Sequence, residues 1–345
     1  MSLLFFAGFE SGDAVDYTNI DIITTSNLLR SSTFAKTGVY SGSVSSAQPN
    51  IEIKSQLTSE ITYVVGAAFY IKTGFTSISA GIHFNLGGSS QTSVILDYIT
   101  SSKIKVYRNL TGTLLATGTA SIIKDTWYYI EAKVTVHDST GSVIINVDDV
   151  EDINISGVDT QQTSSGVDSI RVGSLTNCSN ANFIYIDDVY ICDTLGSINN
   201  DFLGPVKVER ISPSGNGYNS DFVGSDADST DNYLHVDEIS DDGDTSYVQS
   251  DVVSDIDSFE YGNLTGDIGT VHGVALHSFA KKQDTLSRNF KQFVRVSGTN
   301  YLSAEYTPVT SYQPFFDIWE ENPNTATGWS ESDVNAIEAG IEISS

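Results

Sequence analysis

The chain of 345 residues reads as all-β: an antiparallel sandwich followed by a second β-rich domain carrying one short helix near its end. Three observations predict this. Apolar stretches are short, rich in β-branched and aromatic residues, and bounded by Gly, Asn, Asp or Ser. They recur at hairpin intervals with no helical period between them. In the clearest of them, apolar and polar side chains alternate with the period of a strand. A hydrophobic content of 39%, with 17 Tyr and 16 Phe, is ample for two cores, at roughly 150 residues per domain.

Taken in order, residues 1–9 (MSLLFFAGF) read as a first strand. They lack a basic leader region and meet Glu10 at once, so a signal peptide is not expected. Strands follow at 63–71, 93–98, 103–107, 127–136, 143–147, 169–172 and 183–191. In 127–136, Tyr128, Ile130, Ala132, Val134 and Val136 share one face, and Glu131, Lys133, Thr135 and His137 share the other. Asp138-Ser139-Thr140-Gly141 supplies a turn, after which Val143, Ile145 and Val147 resume the alternation. This predicts a hairpin with one wet face, exposing Glu131 and Lys133.

Turn-forming residues cluster at 193–205 and place the domain boundary there, giving domains at 1–195 and 203–345. Beyond it a strand is expected at 206–211, then a polar, acidic stretch at 212–244. Further strands are expected at 246–253, 258–261, 271–280, 289–296 and 300–306. Ser330 with Asp333 forms a capping pair for a helix near 331–339, which Gly340 would end before a last strand at 341–344.

The net charge is −27, from 17 basic and 44 acidic residues. Such a chain repels phosphate backbones, which excludes nucleic acid as a partner. No apolar run is long enough to span a bilayer, so membrane insertion is not expected. Cys178 and Cys192 are too few for a disulfide scaffold; they read as two thiols, with a single bridge as the alternative.

A sandwich can carry a glycosidase, whose catalytic carboxylates would alternate along one strand. The nearest match, Asp148-Asp149-Val150-Glu151-Asp152, has Ile153 where the third acid should stand and reads as a solvated turn where the strand leaves its sheet. Asp226-Ala227-Asp228 begins like a calcium loop but has Asp231 in place of the required Gly and Asp237 in place of the bidentate Glu. Asp241-Asp242-Gly243-Asp244 reads as an acidic loop, with a loose calcium site as the alternative. The five His show no zinc spacing, and no nucleophile elbow, phosphate loop or dinucleotide fingerprint occurs. On these grounds no enzymatic activity is expected.

The opening LFFAGFES, the hairpin WYYIEAKVTVHDSTGSVIINVDDV and the late IYIDDV resemble the concanavalin A-like lectin/glucanase superfamily, in particular its laminin-G-like branch. That resemblance implies a jelly roll for the first domain. It also implies, in some members, a structural calcium between an early Glu and a late Asp, matched here by Glu10 with Asp187 or Asp188. No other cofactor is implied. The whole chain resembles structural proteins of tailed-bacteriophage virions through 186–204 (IDDVYICDTLGSINNDFLG), the acidic 232–247 region and the closing GWSESDVNAIEAGIE.

The resemblance implies a non-catalytic protein on the exterior of a phage particle. Its expected place is the tail or tail fibre, with capsid decoration as the alternative and glycan depolymerisation as a minor one. Its partners would be other virion proteins, further copies of itself and a host surface glycan. For the glycan, Tyr218 and Tyr233 in the acidic region are the candidate stacking residues.

Overall fold

Alternation along the strands, with one face apolar, is what builds the first of two units. The computed structural model describes residues 2–10, 28–44, 50–53, 57, 60–75, 80–164, 166–174 and 184–345. The chain divides at Met1–Val208 and Glu209–Ser345. Among the described residues the regular secondary structure is nearly all strand and every named sheet is antiparallel, as expected.

One sheet of the first unit contains β1 (Leu3–Ala7), β2 (Leu28–Ser31), β3 (Ser41–Val44), β5 (Thr62–Ile71), β10 (Trp127–Thr135), β11 (Gly141–Val147), β12 (Val150–Val158) and β14 (Ile184–Asp193). Its order is β12-β11-β10-β5-β14-β3-β2, with β1 also pairing to β14. The second sheet contains β4 (Asn50–Ile53), β6 (Ala80–Leu86), β7 (Ser89–Asp97), β8 (Lys103–Arg108), β9 (Thr113–Thr117) and β13 (Ser169–Ser174). It runs β4-β13-β6-β7-β8-β9. Phe69, Ile130, Ala132 and Val134 from the first sheet are fully buried, as are Ile82, Phe84, Val94, Ile104 and Ile170 from the second. Each large apolar side chain so buried contributes about 1.5–3 kcal/mol.

All seven strands expected between residues 63 and 191 are present. Strands β2, β3, β4, β6, β9 and β12 were not anticipated. Asp148 and Asp149, with φ of 48° and 67°, form the two-residue turn between β11 and β12. The turn is there, but the chain then re-enters the sheet as β12 instead of leaving it. Asp152 accepts the backbone N–H of Thr119 and of Ala120, each at 2.6 Å, which ties β12 to the loop after β9.

The wet face expected for β10 is corrected at Glu131, which is 1% exposed. The segment 194–208 covers it. The Leu203 N–H donates to the Tyr190 hydroxyl at 3.1 Å, Gly204 N–H to Glu131 Oε1 at 2.9 Å, and Val208 N–H to Asp188 Oδ1 at 2.8 Å. The Tyr190 hydroxyl also donates to Glu131 Oε1. Burial raises the Glu131 pKa, and the Tyr190 and Gly204 donors pull it back. The turn-rich segment read as a linker is therefore part of the first unit. Lys133 stays half-exposed, 3.1 Å from Asp201. Beneath this strap Gly66 is obligatory, since a Cβ there would lie 2.1 Å from Tyr190 Cε1.

Five strands form the main sheet of the second unit: β15 (Pro213–Ser220), β18 (Ile256–Tyr261), β20 (Phe290–Val296), β21 (Thr299–Tyr306) and β23 (Glu338–Ile343). Their order is β15-β18-β23-β20-β21. The hairpin partners β19 (Val274–Ala280) and β22 (Gln313–Trp319) pair separately, as do the short β16 (Val223–Gly224) and β17 (Val248–Gln249). Leu276, Val294, Val296, Trp329, Val334, Ile337 and Ala339 form its core.

Residues 206–211 form no strand, whereas β15 arises inside the stretch read as polar loop. The helix is a single turn, Glu331–Val334, although its Ser330–Asp333 capping box is present as anticipated. Gly340 does not end that helix. It lies in β23, where a Cβ would sit 1.9 Å from the Asp257 carbonyl oxygen. Cys192 is buried in β14, while Cys178 lies outside the described residues. No described helix is long and apolar enough to cross a membrane.

Two outcomes test this architecture. Gly66→Ala should destabilise the first unit by about 1–3 kcal/mol through overpacking against Tyr190, whereas Lys133→Ala should cost under ~0.5 kcal/mol; denaturant titration of both variants measures the difference. A fragment ending at residue 208 should melt above one ending at 195 by about 4 °C or more. The shorter fragment strips N–H partners from buried Glu131 and Tyr190, at ~1–3 kcal/mol each. Equal melting temperatures would show that the strap adds nothing.

Candidate functional site

The outer face of the six-stranded sheet carries a row of polar side chains set by strand register. Ile82 and Phe84 on β6, Val94 and Leu96 on β7, Ile104 and Val106 on β8, and Ile170 and Val172 on β13 are fully buried in the core. Period-two alternation then sends His83, Ser93, Lys105, Tyr107 and Arg171 to the opposite face. Register pairs Arg171 with His83, His83 with Ser93, and Ser93 with Tyr107. Four neighbouring strands thus hold a guanidinium, an imidazole, a hydroxyl and a phenol across about 14 Å.

The middle of this row is buried and its ends are half-exposed. His83 and Ser93 are fully buried, with His83 Nδ1 3.0 Å from Ser93 Oγ, which is 2.8 Å from Ser90 Oγ. Arg171 and Tyr107 are partly open. Next to Tyr107, Lys105 pairs with Asp97 at 2.6 Å. The hydrogen bond to Asp97 raises the Lys105 pKa, and the neighbouring Tyr107 adds to the effect. For Asp97, burial pushes upward, but hydrogen bonds from Lys105, Thr100 and Ser101 outweigh it and hold the carboxyl well below the usual range.

None of these residues was nominated from sequence. Ser93, Lys105 and Tyr107 lay in strands that were anticipated, but their polarity was taken for an ordinary wet face. The one available signal for β6 was His83 standing between Ile82 and Phe84 in a strand-like alternation. A search for paired carboxylates addresses hydrolysis alone and passes over this set of groups.

The residues nominated for calcium do come together, around the loop at 36–40. Asp187 Oδ2 accepts the N–H of Lys36 at 2.8 Å and of Thr37 at 3.3 Å, and its Oδ1 accepts the N–H of Asp188 at 2.9 Å. Asp188 accepts the Thr37 hydroxyl on both oxygens, at 2.9 and 3.0 Å. Glu10 Oε1 accepts the N–H of Val39 at 2.9 Å and of Tyr40 at 2.8 Å. The donors facing these oxygens are N–H and O–H groups. Among the described residues no group of three or more His, Cys, Asp or Glu is placed to hold a metal ion. Burial raises both Asp pKa values, and the adjacency of the two carboxyls raises Asp187 further.

Of the nominated tyrosines, Tyr218 on β15 is 75% exposed with the Arg295 guanidinium 4.3 Å from its ring centroid. Tyr233 sits half-buried in the 3-10 turn Asn232–His235. At the acidic loop, Asp244 pairs with Lys281 and accepts the Tyr312 hydroxyl.

No family model and no curated protein matches the sequence. In fold the chain is similar to the endo-β-1,4-glucuronan lyase of the fungus Trichoderma reesei, at 14% identity and TM-score 0.41, covering 57% of this chain and 98% of that one. It is also similar to the alginate lyase Aly36B, at 11% identity and TM-score 0.39, covering 55% of this chain and 96% of that one. A third is domain 4 of a GH43 extracellular arabinanase from Geobacillus stearothermophilus, solved with arabinotriose, at 14% identity and TM-score 0.40 over 55% and 92%. At such identities the likeness is one of fold. These neighbours are two polysaccharide lyases and a domain of an arabinanase, none of them a particle component; the expected non-catalytic virion role and absence of activity find no counterpart among them and are not carried further.

The raised pKa values at Asp187 and Asp188 predict a pH dependence of stability. A carboxyl whose pKa is higher folded than unfolded favours the folded state while both forms are protonated. That contribution is lost as pH rises through the raised values. The first unit should therefore lose stability as pH climbs from mildly acidic through neutral to mildly alkaline, and Asp187→Asn should flatten the profile. Asp97 acts in a separate window, losing its contribution only in strong acid. Thermal melts across pH check this, and a profile unchanged by Asp187→Asn would refute the assignment.

Proposed function

We propose that the first unit cleaves an acidic, uronate-containing polysaccharide laid across the outer face of its six-stranded sheet, by β-elimination. The observation that carries this is the register row Arg171–His83–Ser93–Tyr107. Elimination needs a cation at the uronate carboxylate, which makes the C5 proton acidic, and a group that moves a proton. Arg171 is the cation; its long side chain and the Tyr107 ring would reach toward each other over the buried His83 and Ser93 to meet one uronate. The Tyr107 oxygen takes the C5 proton; the electron pair forms the C4–C5 double bond as the C4–O bond breaks, and the leaving oxygen takes the proton back from Tyr107. His83, held by Ser93, lies buried in the row between them. No alternating triplet of carboxylates is required, so Ile153 in place of the third acid is no obstacle.

Charge distribution supports an acidic substrate on this unit. Eleven of the 17 basic residues but only 20 of the 44 acids precede residue 209, and Lys103, Lys105 and Arg171 share the proposed face. The acidic-polymer lyases among the fold neighbours are consistent with the same substrate class.

Incubating the protein with polyglucuronate and with alginate should yield unsaturated ends, read by their ultraviolet absorbance. Arg171→Ala and Tyr107→Phe should each lower the rate by about 10²–10⁴-fold. No unsaturated product from either polymer, or full activity in Tyr107→Phe, would defeat the proposal.

A further inference from the structure

The outer face of the eight-stranded sheet holds a second polar-rimmed surface that the cleavage chemistry does not use. Register aligns Trp127 on β10 with Tyr70 on β5, and Tyr70 with Tyr185 on β14. Ile130, Phe69 and Ile186 belong to the core, so by alternation these three rings stand on the outer side. The Tyr70 centroid is 5.5 Å from that of Trp127 and 5.9 Å from that of Tyr185. Phe34 stacks on Tyr70 at 4.6 Å and meets Tyr185 edge-on at 5.0 Å. Tyr70 and Tyr185 are buried beneath, leaving Phe34 and Trp127 half-exposed at the surface. The covering segment 194–208 engages Glu131, Tyr190 and Asp188 farther along the sheet.

The rim of this cluster is polar, with one carboxylate and two lysines. Asp125 accepts the N–H of Thr73 at 2.9 Å and its hydroxyl at 2.5 Å, and is engaged by Tyr70. Exposed Lys72 places Nζ 5.9 Å from the Phe34 centroid, and exposed Lys36 follows Phe34 by two residues in the same loop. Fixed aromatic rings offer flat faces to the C–H side of a pyranose, while lysines on the rim meet carboxylates. Trp127, Tyr70 and Tyr185 sit on strands held by the core, and the loop carrying Phe34 and Lys36 is tied to Asp187, Asp188 and Glu10, so little ordering is lost on binding.

From this we infer that Trp127 and Phe34, with Lys72 and Lys36, form a non-catalytic binding surface for an acidic polysaccharide, on the sheet face opposite the cleavage row. The choice of ligand rests on the proposed function; the site itself rests on the aromatic row and its lysine rim. Its role is to hold the polymer, so it should matter for long chains and not for short ones.

Affinity electrophoresis of the full chain through gels containing polyglucuronate, alginate or neutral dextran tests the inference. Retardation by at least one uronate polymer and not by dextran is expected. Trp127→Ala should weaken it about tenfold, a loss on the scale of one stacking contact. Trp127→Phe should recover most of it. Lys72→Glu, at an exposed position, should also weaken it and guards against misfolding of Trp127→Ala. Absence of retardation in both uronate gels, equal retardation by dextran, or wild-type behaviour of Trp127→Ala and Lys72→Glu would overturn the inference. Trp127-dependent retardation without any unsaturated product would uphold this surface while defeating the cleavage proposal.

Discussion

Burial of one face of the six-stranded sheet is the constraint on which the proposed chemistry depends. Ile82, Phe84, Val94, Val106, Ile170 and Val172 can reach the core in one register, and a slip of one residue would turn all of them to solvent. The cost of such a slip, at about 1.5–3 kcal/mol for each side chain, far exceeds the net stability of a typical domain. The positions of Arg171, His83, Ser93 and Tyr107 on the other face are therefore inherited from the core. Sites supported by strands in this way keep their geometry without needing strong contacts among their own members.

The opposite sheet uses buried carboxylates as organisers. Glu131, Asp187 and Asp188 lie on central strands and receive backbone N–H groups from segments that have little regular structure of their own. A buried carboxylate without such donors would be costly, and a loop N–H packed against an apolar surface would be equally unfavourable. Each satisfies the other. The loop at 36–40 and the strap at 194–208 are held by this exchange, and the loop in turn holds Phe34 over Tyr70.

In the second unit a different economy operates. It carries most of the acidic excess, and its core is a modest set of side chains around Trp329, whose indole N–H donates to the Trp319 carbonyl at 2.7 Å. Gln292 links sheet and hairpin, donating to Ser278 at 2.7 Å and to the Phe315 carbonyl at 3.3 Å. Close backbone approach at Gly340 lets β23 pair on both sides. β15 is held by distant partners, the Tyr218 N–H donating to Glu338 at 2.7 Å and the Asn219 N–H to Ser258 at 3.0 Å, which is why the polar stretch after residue 212 concealed a strand.

The sequence alone determined the all-β class, eight strands of the first unit, the turn at Asp148–Asp149 and the capping box at Ser330, because each depends on residues a few positions apart. Alternation reveals a strand whose one face is apolar, and turn and cap chemistry is local. It also brought Glu10, Asp187 and Asp188 into consideration through the resemblance. Tertiary structure alone decided that Glu131 is buried, that 194–208 belongs to the first unit, that Gly340 lies in a strand, and that Arg171, His83, Ser93 and Tyr107 form one row. Burial of a polar residue depends on what covers it, and proximity across a sheet depends on strand order. Nothing within a few residues of His83 encodes that β13 and β7 are its neighbours; that follows from the way both apolar faces close on a single core.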